Sequence, residues 1–141
     1  MGVNGVVPAA AGDAEALIAL WKACGLTRPW NDPAADCARA IAGPTSAILL
    51  RREAGAISAS VMVGEDGHRG WIYYLAVAPQ WRRRGLGRAM VDAAEVWLRA
   101  RGVPKLQLMV RNDNHEALAF YAALGLARQE VATLGRFLRE D

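Results

Sequence analysis

The run Arg82-Arg83-Arg84-Gly85-Leu86-Gly87-Arg88 constrains the fold more than any other feature of the chain. It follows an apolar stretch, Trp71 to Val77, that reads as a strand, and precedes an amphipathic stretch, Ala89 to Ala100, that reads as a helix. A strand, a basic turn with two glycines and a helix start make an anion site. The first N–H groups of a helix have no intrahelical partner and can point at phosphate oxygens, and the helix dipole adds roughly half a positive charge there. Gly85 and Gly87 let backbone approach a ligand closely, and arginines supply forked donors suited to phosphate. The run is not a Walker A loop, because no Gly-Lys-Ser/Thr follows. It is a poor dinucleotide fingerprint, because Met90 stands where the third glycine would be. An arginine run that merely solvates an ordinary helix start is the competing reading.

The 141 residues fit one domain, and at 53% hydrophobic they can build a core. The net charge of +3 is local, concentrated around residues 82–88 and 99–111. Such an excess suits a polyanionic small molecule better than a nucleic-acid track. Cys24 and Cys37 form no CxxC and have no paired histidines, so they read as reduced thiols in a cytoplasmic protein without a metal site. No apolar run approaches the roughly 18 residues of a membrane span, and no signal peptide is apparent.

Along the chain, residues 1–7 read as a loose tail. Helices are predicted from Ala14 to Cys24, with Asp13 as N-cap, and from Pro33 to Ile41, capped by Asp32. Ser46 to Arg51 and Ile57 to Val63 read as a hairpin. The strand at 71–77 and the helix over 87–101 follow, then a strand from Lys105 to Arg111 and a helix over 115–123. Ala127 to Val131 and Leu134 to Leu138 read as a final strand pair. The expected class is α/β in the α+β sense: a mixed, mostly antiparallel twisted sheet with a central parallel pair and helices on both faces.

A second constellation narrows the anion site. Asn114-His115-Glu116-Ala117-Leu118-Ala119-Phe120-Tyr121 leads to Gly125, and Leu75-Ala76-Val77-Ala78-Pro79 precedes the basic turn. Together with Arg82-x-x-Gly85-x-Gly87, these motifs resemble the GNAT superfamily of acetyl-CoA-dependent N-acetyltransferases over about residues 8–138. The Thr27 to Pro33 loop and the Gly67 to Trp71 turn look like the small bacterial YpeA-type subgroup.

The resemblance implies a sheet splayed at the cofactor site and a role for each matching residue. Backbone groups of Leu75, Ala76 and Val77 would pair with the pantetheine arm as an added strand does, one N–H facing the thioester oxygen. Arg82, Arg83, Arg84, Gly85, Leu86, Gly87 and Arg88 would cradle the pyrophosphate. Asn114 matches a cofactor contact, although Asn is also a favoured N-cap residue. Tyr121 matches the residue that protonates the leaving thiolate; packing with a satisfied hydroxyl is the plainer alternative.

The general base departs from the family pattern. Relatives place a glutamate at the position of Trp71 or of Met109, and both are apolar here. Glu65, Asp66, His68, Tyr73 and Tyr74 stand nearby, and Glu65 is the candidate carried forward beside unassisted water. Trp30, Asp32 and Tyr73 are the candidate acceptor contacts, with Asp32 equally a helix cap. Tyr73 and Tyr74, adjacent on a strand, should point to opposite faces. Neither cysteine lies near the cofactor motifs in sequence, so no thiol nucleophile is invoked. The expected activity is acetyl transfer to a small-molecule or peptide amine without metal, nucleic acid or membrane, in a chain whose relatives are often homodimers. A non-catalytic CoA-binding module is the alternative.

Overall fold

A computed structural model describes residues 5–139. They fall into two units, the first ending at Leu108 and the second beginning at Met109, each described by itself. The first unit is a mixed sheet of five strands in the order β1-β2-β3-β4-β5. These are β1 (Val7–Pro8), β2 (Ser46–Glu53), β3 (Ala56–Glu65), β4 (Gly70–Val77) and β5 (Leu106–Gln107). All neighbours run antiparallel except β4 and β5, which are parallel. Helices α1 (Ala14–Ala23), α2 (Pro33–Ala42) and α3 (Leu86–Ala100) pack on the sheet. The expected α+β class is therefore observed, with the parallel pair at one end of the five described strands.

Side-chain alternation along β2 divides the core. Ile48 and Leu50 join Leu17, Leu20 and Trp21 of α1, and Cys37 and Ala40 of α2, in one buried cluster with Ala76 and Ala78. Leu49, Val61 and Val63 are buried as well, while α3 buries Met90, Val91, Ala94 and Leu98 and contacts β3 and β4. Gly70 is needed where α3 comes closest: a Cβ there would lie 2.5 Å from Cδ2 of Leu98.

Three differences from the sequence reading have local causes. Of the segment read as a tail, Val6 is buried and Val7–Pro8 pairs with Leu50 and Leu49; residues 1–4 lie outside the described residues. A two-residue edge strand is too short to show periodicity. Asp13 precedes α1, but its Oδ2 accepts from the Ala10 N–H at 2.8 Å instead of capping the helix, and its Oδ1 meets Arg52. The strand expected from Lys105 to Arg111 is reduced to Leu106–Gln107.

In the second unit, α4 (His115–Ala123) is the regular element. Residues 127–138, expected as two strands, carry no strand among the described residues, and Val131, Leu134, Phe137 and Leu138 are exposed. The apolar alternation there has no ladder to join.

Candidate functional site

The centre of the first unit is an irregularity in β4. Ala76 pairs with Ser60 and Tyr73 with Met62, so Tyr74 and Leu75 together face Val61 alone. This is a β-bulge. Tyr74 takes φ +52°, a conformation that an aromatic residue rarely adopts.

Three contacts hold Tyr74 in that conformation. Its ring stacks on Trp21 with centroids 4.1 Å apart and planes 14° from parallel. Its carbonyl accepts from the buried Ser60 hydroxyl at 3.4 Å, and Ser60 Oγ in turn accepts from the Trp21 indole N–H at 3.0 Å. Its own hydroxyl donates to Asp36 Oδ2 at 2.8 Å. Burial first, then the bond to Asp36, pushes the Tyr74 phenol well above its ordinary range.

The bulge also undoes the alternation expected of the two tyrosines. Instead of facing opposite ways, Tyr73 and Tyr74 line one cavity of about 600 Å³ with Asn31, Asp36, Arg39 and Met62. Tyr73 is 45% exposed, and burial of the rest, with the charge of Asp66, raises its phenol.

Beyond the bulge, β4 meets no other described strand on its far edge. Its pairing with β5 covers Gly70 and Trp71 alone, so the edge from Ile72 to Val77 has no ladder among the described residues. The Val77 carbonyl is already engaged: the Cys24 thiol donates to it at 3.3 Å and Arg82 Nε at 3.4 Å. Cys24, distant from the motifs in sequence, thus packs at the end of β4 beside Arg82. Cys37 is buried in the core, and that burial pushes its thiol up.

The basic turn then swings into α3. Arg83 has φ +64° and Gly85 φ +76°, and a Cβ at Gly85 would meet open space. The first intrahelical bond of α3 runs from the Ala89 N–H to the Gly85 carbonyl, 3.1 Å, so the N–H groups of Leu86, Gly87 and Arg88 have no intrahelical partner. The side chains of the turn are not equivalent. Leu86 is buried and anchors the turn to the core, leaving only its backbone for a ligand. Arg82 bonds back to β4. Arg84 lies over the Trp81 ring, 5.0 Å from its centroid. Arg88 lines an open cavity of about 530 Å³ with Gly85, Arg51 and Asp92.

Asp32 and Glu65 make structural hydrogen bonds. Asp32 caps α2, accepting from the Ala35 N–H at 3.1 Å, and Trp30 is 57% exposed; neither lines the 600 Å³ cavity. Glu65 has both oxygens engaged, Oε1 by the Gly67 N–H at 2.7 Å and Oε2 by Arg101 Nε at 3.5 Å. In the same turn Asp66 Oδ1 accepts from the N–H groups of Arg69 and His68, which hold its carboxyl below the usual range. Asp36 is the cavity carboxylate that sequence reasoning missed. Its signal was the i, i+3 spacing with Arg39, which puts both charges on one face of α2.

In the second unit, Asn114 caps α4, its Oδ1 accepting from the Ala117 N–H at 3.1 Å. Tyr121 packs edge-on against Phe120, and burial pushes its phenol up to about 12. A thiol has an ordinary pKa of about 8.5, so full proton transfer from this phenol to a thiolate runs uphill. Burial therefore keeps the Tyr121 hydroxyl protonated throughout the neutral range.

Residues 14–126 match the acetyltransferase (GNAT) family. The chain belongs to that family. It is 45% identical over 129 residues to an acetyltransferase of Pectobacterium atrosepticum, covering 92% of each chain. Two solved structures share the GNAT fold at lower identity. AAC(6')-Iy, in complex with the bisubstrate analogue CoA-S-monomethyl-acetylneamine, superposes with a TM-score of 0.80 at 16% identity, over 94% of this chain and 96% of that one. An aminoglycoside acetyltransferase from an uncultured soil sample, in complex with sisomicin, gives 0.79 at 17% identity over 95% of both chains. The protein is thus a GNAT acyltransferase, of a family whose members use acetyl-CoA. No helix among the described residues is long and apolar enough to cross a membrane.

Proposed function

We propose that this GNAT chain moves the acetyl group of acetyl-CoA to a primary amine by direct attack, with both substrates bound together. The observation that carries the reading is the bulged, unladdered edge of β4 followed, past a short helical turn at Pro79–Trp81, by the Arg82–Gly85 turn and the open start of α3. An amide-bearing arm can bond such an edge as another strand would, and a pyrophosphate can sit on the unpaired N–H groups beyond it. The residues fit the cofactor as backbone first: Leu75 and Ala76 for the arm, Arg83, Gly85, Leu86, Gly87 and Arg88 for the phosphates. Arg82, Arg84 and the Val77 carbonyl brace the turn. Asn114 remains a cofactor contact through its amide nitrogen, since its oxygen serves the cap.

An N–H of the bulge polarises the thioester oxygen where negative charge develops. The C–N bond forms, the C–S bond breaks, the amine's proton passes to solvent, and the departing sulfur is protonated from water. Tyr121 donates a hydrogen bond to that sulfur as it leaves. With Glu65 tied into its turn, the open cavity offers water for the deprotonation. The likeness of the 27–33 loop to YpeA-type members belongs to this reading.

Melting with CoA tests it. At 100 times the dissociation constant, CoA should add about 2.7 kcal/mol of stability. An unmoved melting temperature at any CoA concentration would overturn the cofactor assignment.

A further inference from the structure

The cavity beside the bulge presents two charges, and neither is neutralised by the other. Asp36 gives one oxygen to the Tyr74 hydroxyl, and its second oxygen has no partner among the described residues. Arg39 lies three residues on, lines the same cavity, and its guanidinium has no hydrogen bond or ion pair among the described residues. Residues at i and i+3 have Cβ atoms about 5–6 Å apart, so this pair could close into a salt bridge. It does not: Asp36 turns to Tyr74, and Arg39 is left in the cavity. The walls around the two charges are mainly apolar and aromatic, with Leu26, Met62, Val63 and Tyr73.

We infer that Asp36 and Arg39 form a two-point subsite for a zwitterionic acceptor, an α-amino acid with an apolar side chain. Asp36 takes the ammonium, which gives up a proton to water before attack, and Arg39 takes the carboxylate in a forked pair. The apolar wall takes the side chain. The short spacing on α2 suits the short separation of the two charges in an α-amino acid. A plain cationic amine would satisfy Asp36 and leave a guanidinium facing it. The tie to Tyr74 also places the amine beside the bulge, where the acetyl group is to be attacked. This inference rests on the amine-acetyltransferase reading of the same site.

The test compares L-leucine with 3-methylbutylamine, the same molecule without its carboxylate, in two assays on the CoA-saturated full chain. In the turnover assay, kcat/KM for L-leucine should exceed that for 3-methylbutylamine by tenfold or more. Arg39→Gln should bring that ratio toward one, whereas Asp36→Asn, which still accepts from Tyr74, should raise KM for both compounds. In calorimetric titration, L-leucine should bind wild type and lose affinity at least tenfold in Arg39→Gln. Equal use of both compounds, or a preference that survives Arg39→Gln, overturns the subsite while leaving acetyl transfer standing. Arg39-dependent binding of L-leucine with no acetylated product supports the subsite and overturns the transfer reading. Unchanged melting temperatures show that the variants are folded.

Discussion

Replacing Ser60 by alanine should unfasten the β4 bulge. Ser60 is fully buried, and its hydroxyl does two jobs: it accepts from the Trp21 indole at 3.0 Å and donates to the Tyr74 carbonyl at 3.4 Å. Alanine leaves the indole N–H buried without a partner, which costs about 1–3 kcal/mol. The bond to Tyr74 is long, so its loss falls at the low end of the roughly 0.5–1.5 kcal/mol of an ordinary hydrogen bond. The expected destabilisation is about 2–3 kcal/mol, or a melting temperature lower by roughly 6–12 °C for a domain of this size. Urea unfolding of wild type, Ser60→Ala, Trp21→Phe and the double variant separates the hydrogen bond from packing. In the Trp21→Phe background the orphaned donor is gone, so Ser60→Ala should cost at least 1 kcal/mol less there. Catalysis should fall too, because a loosened Tyr74 misplaces the bulge N–H; kcat should drop by about tenfold, less than the roughly 10²–10³ of removing an oxyanion donor outright. Additive stability changes, with kcat intact, would refute the claim that this chain of contacts holds the bulge.

Three further outcomes follow from the same geometry. Tyr121→Phe removes one donor to the developing charge and should lower kcat by about 10²-fold with little change in the KM for acetyl-CoA, measured by thiol release. Because burial holds that phenol near 12, its donor is intact below that range and is lost only as pH rises through it; kcat should show no alkaline fall before about pH 10. A decline centred near pH 8 would contradict the assignment. Gly87→Glu puts bulk and negative charge against the turn's free N–H groups and should abolish the melting shift given by CoA; an unchanged shift would place the phosphates elsewhere. Gly70→Ala drives a methyl to 2.5 Å from Leu98 and should destabilise the fold by about 1–3 kcal/mol in urea titration.

The sequence was most legible where local pattern and tertiary burial agree. Helix α3 shows its apolar face at 3.6-residue spacing, and the β2–β3 hairpin alternates around a glycine turn, so both stand within one or two residues of expectation. Asp32 before Pro33 read as a cap and is one. The family resemblance implied a splay at the cofactor site, but the residue pattern did not show the bulge, because Tyr73 and Tyr74 read as two steps of an ordinary strand, and nothing local says that Trp21, Ser60 and Asp36 converge on Tyr74. Asp36 was missed for the same reason: its partner Tyr74 lies far along the chain. Cys24 at the end of β4 likewise depends on a long-range meeting. Of the Arg82–Arg88 motif, Arg82 to Gly85 form the turn and Leu86 to Arg88 open α3, and which of its side chains brace it and which remain free depends on Trp81, Val77 and Cys24.

The most direct test of the central claim is product stoichiometry. Wild-type protein, acetyl-CoA and a panel of primary amines that includes L-leucine are incubated, with free thiol and N-acetylated amine measured together. The account predicts saturable release of one CoA thiol for each N-acetyl product. Saturable CoA binding with neither thiol release nor acetylated product on any amine would contradict it.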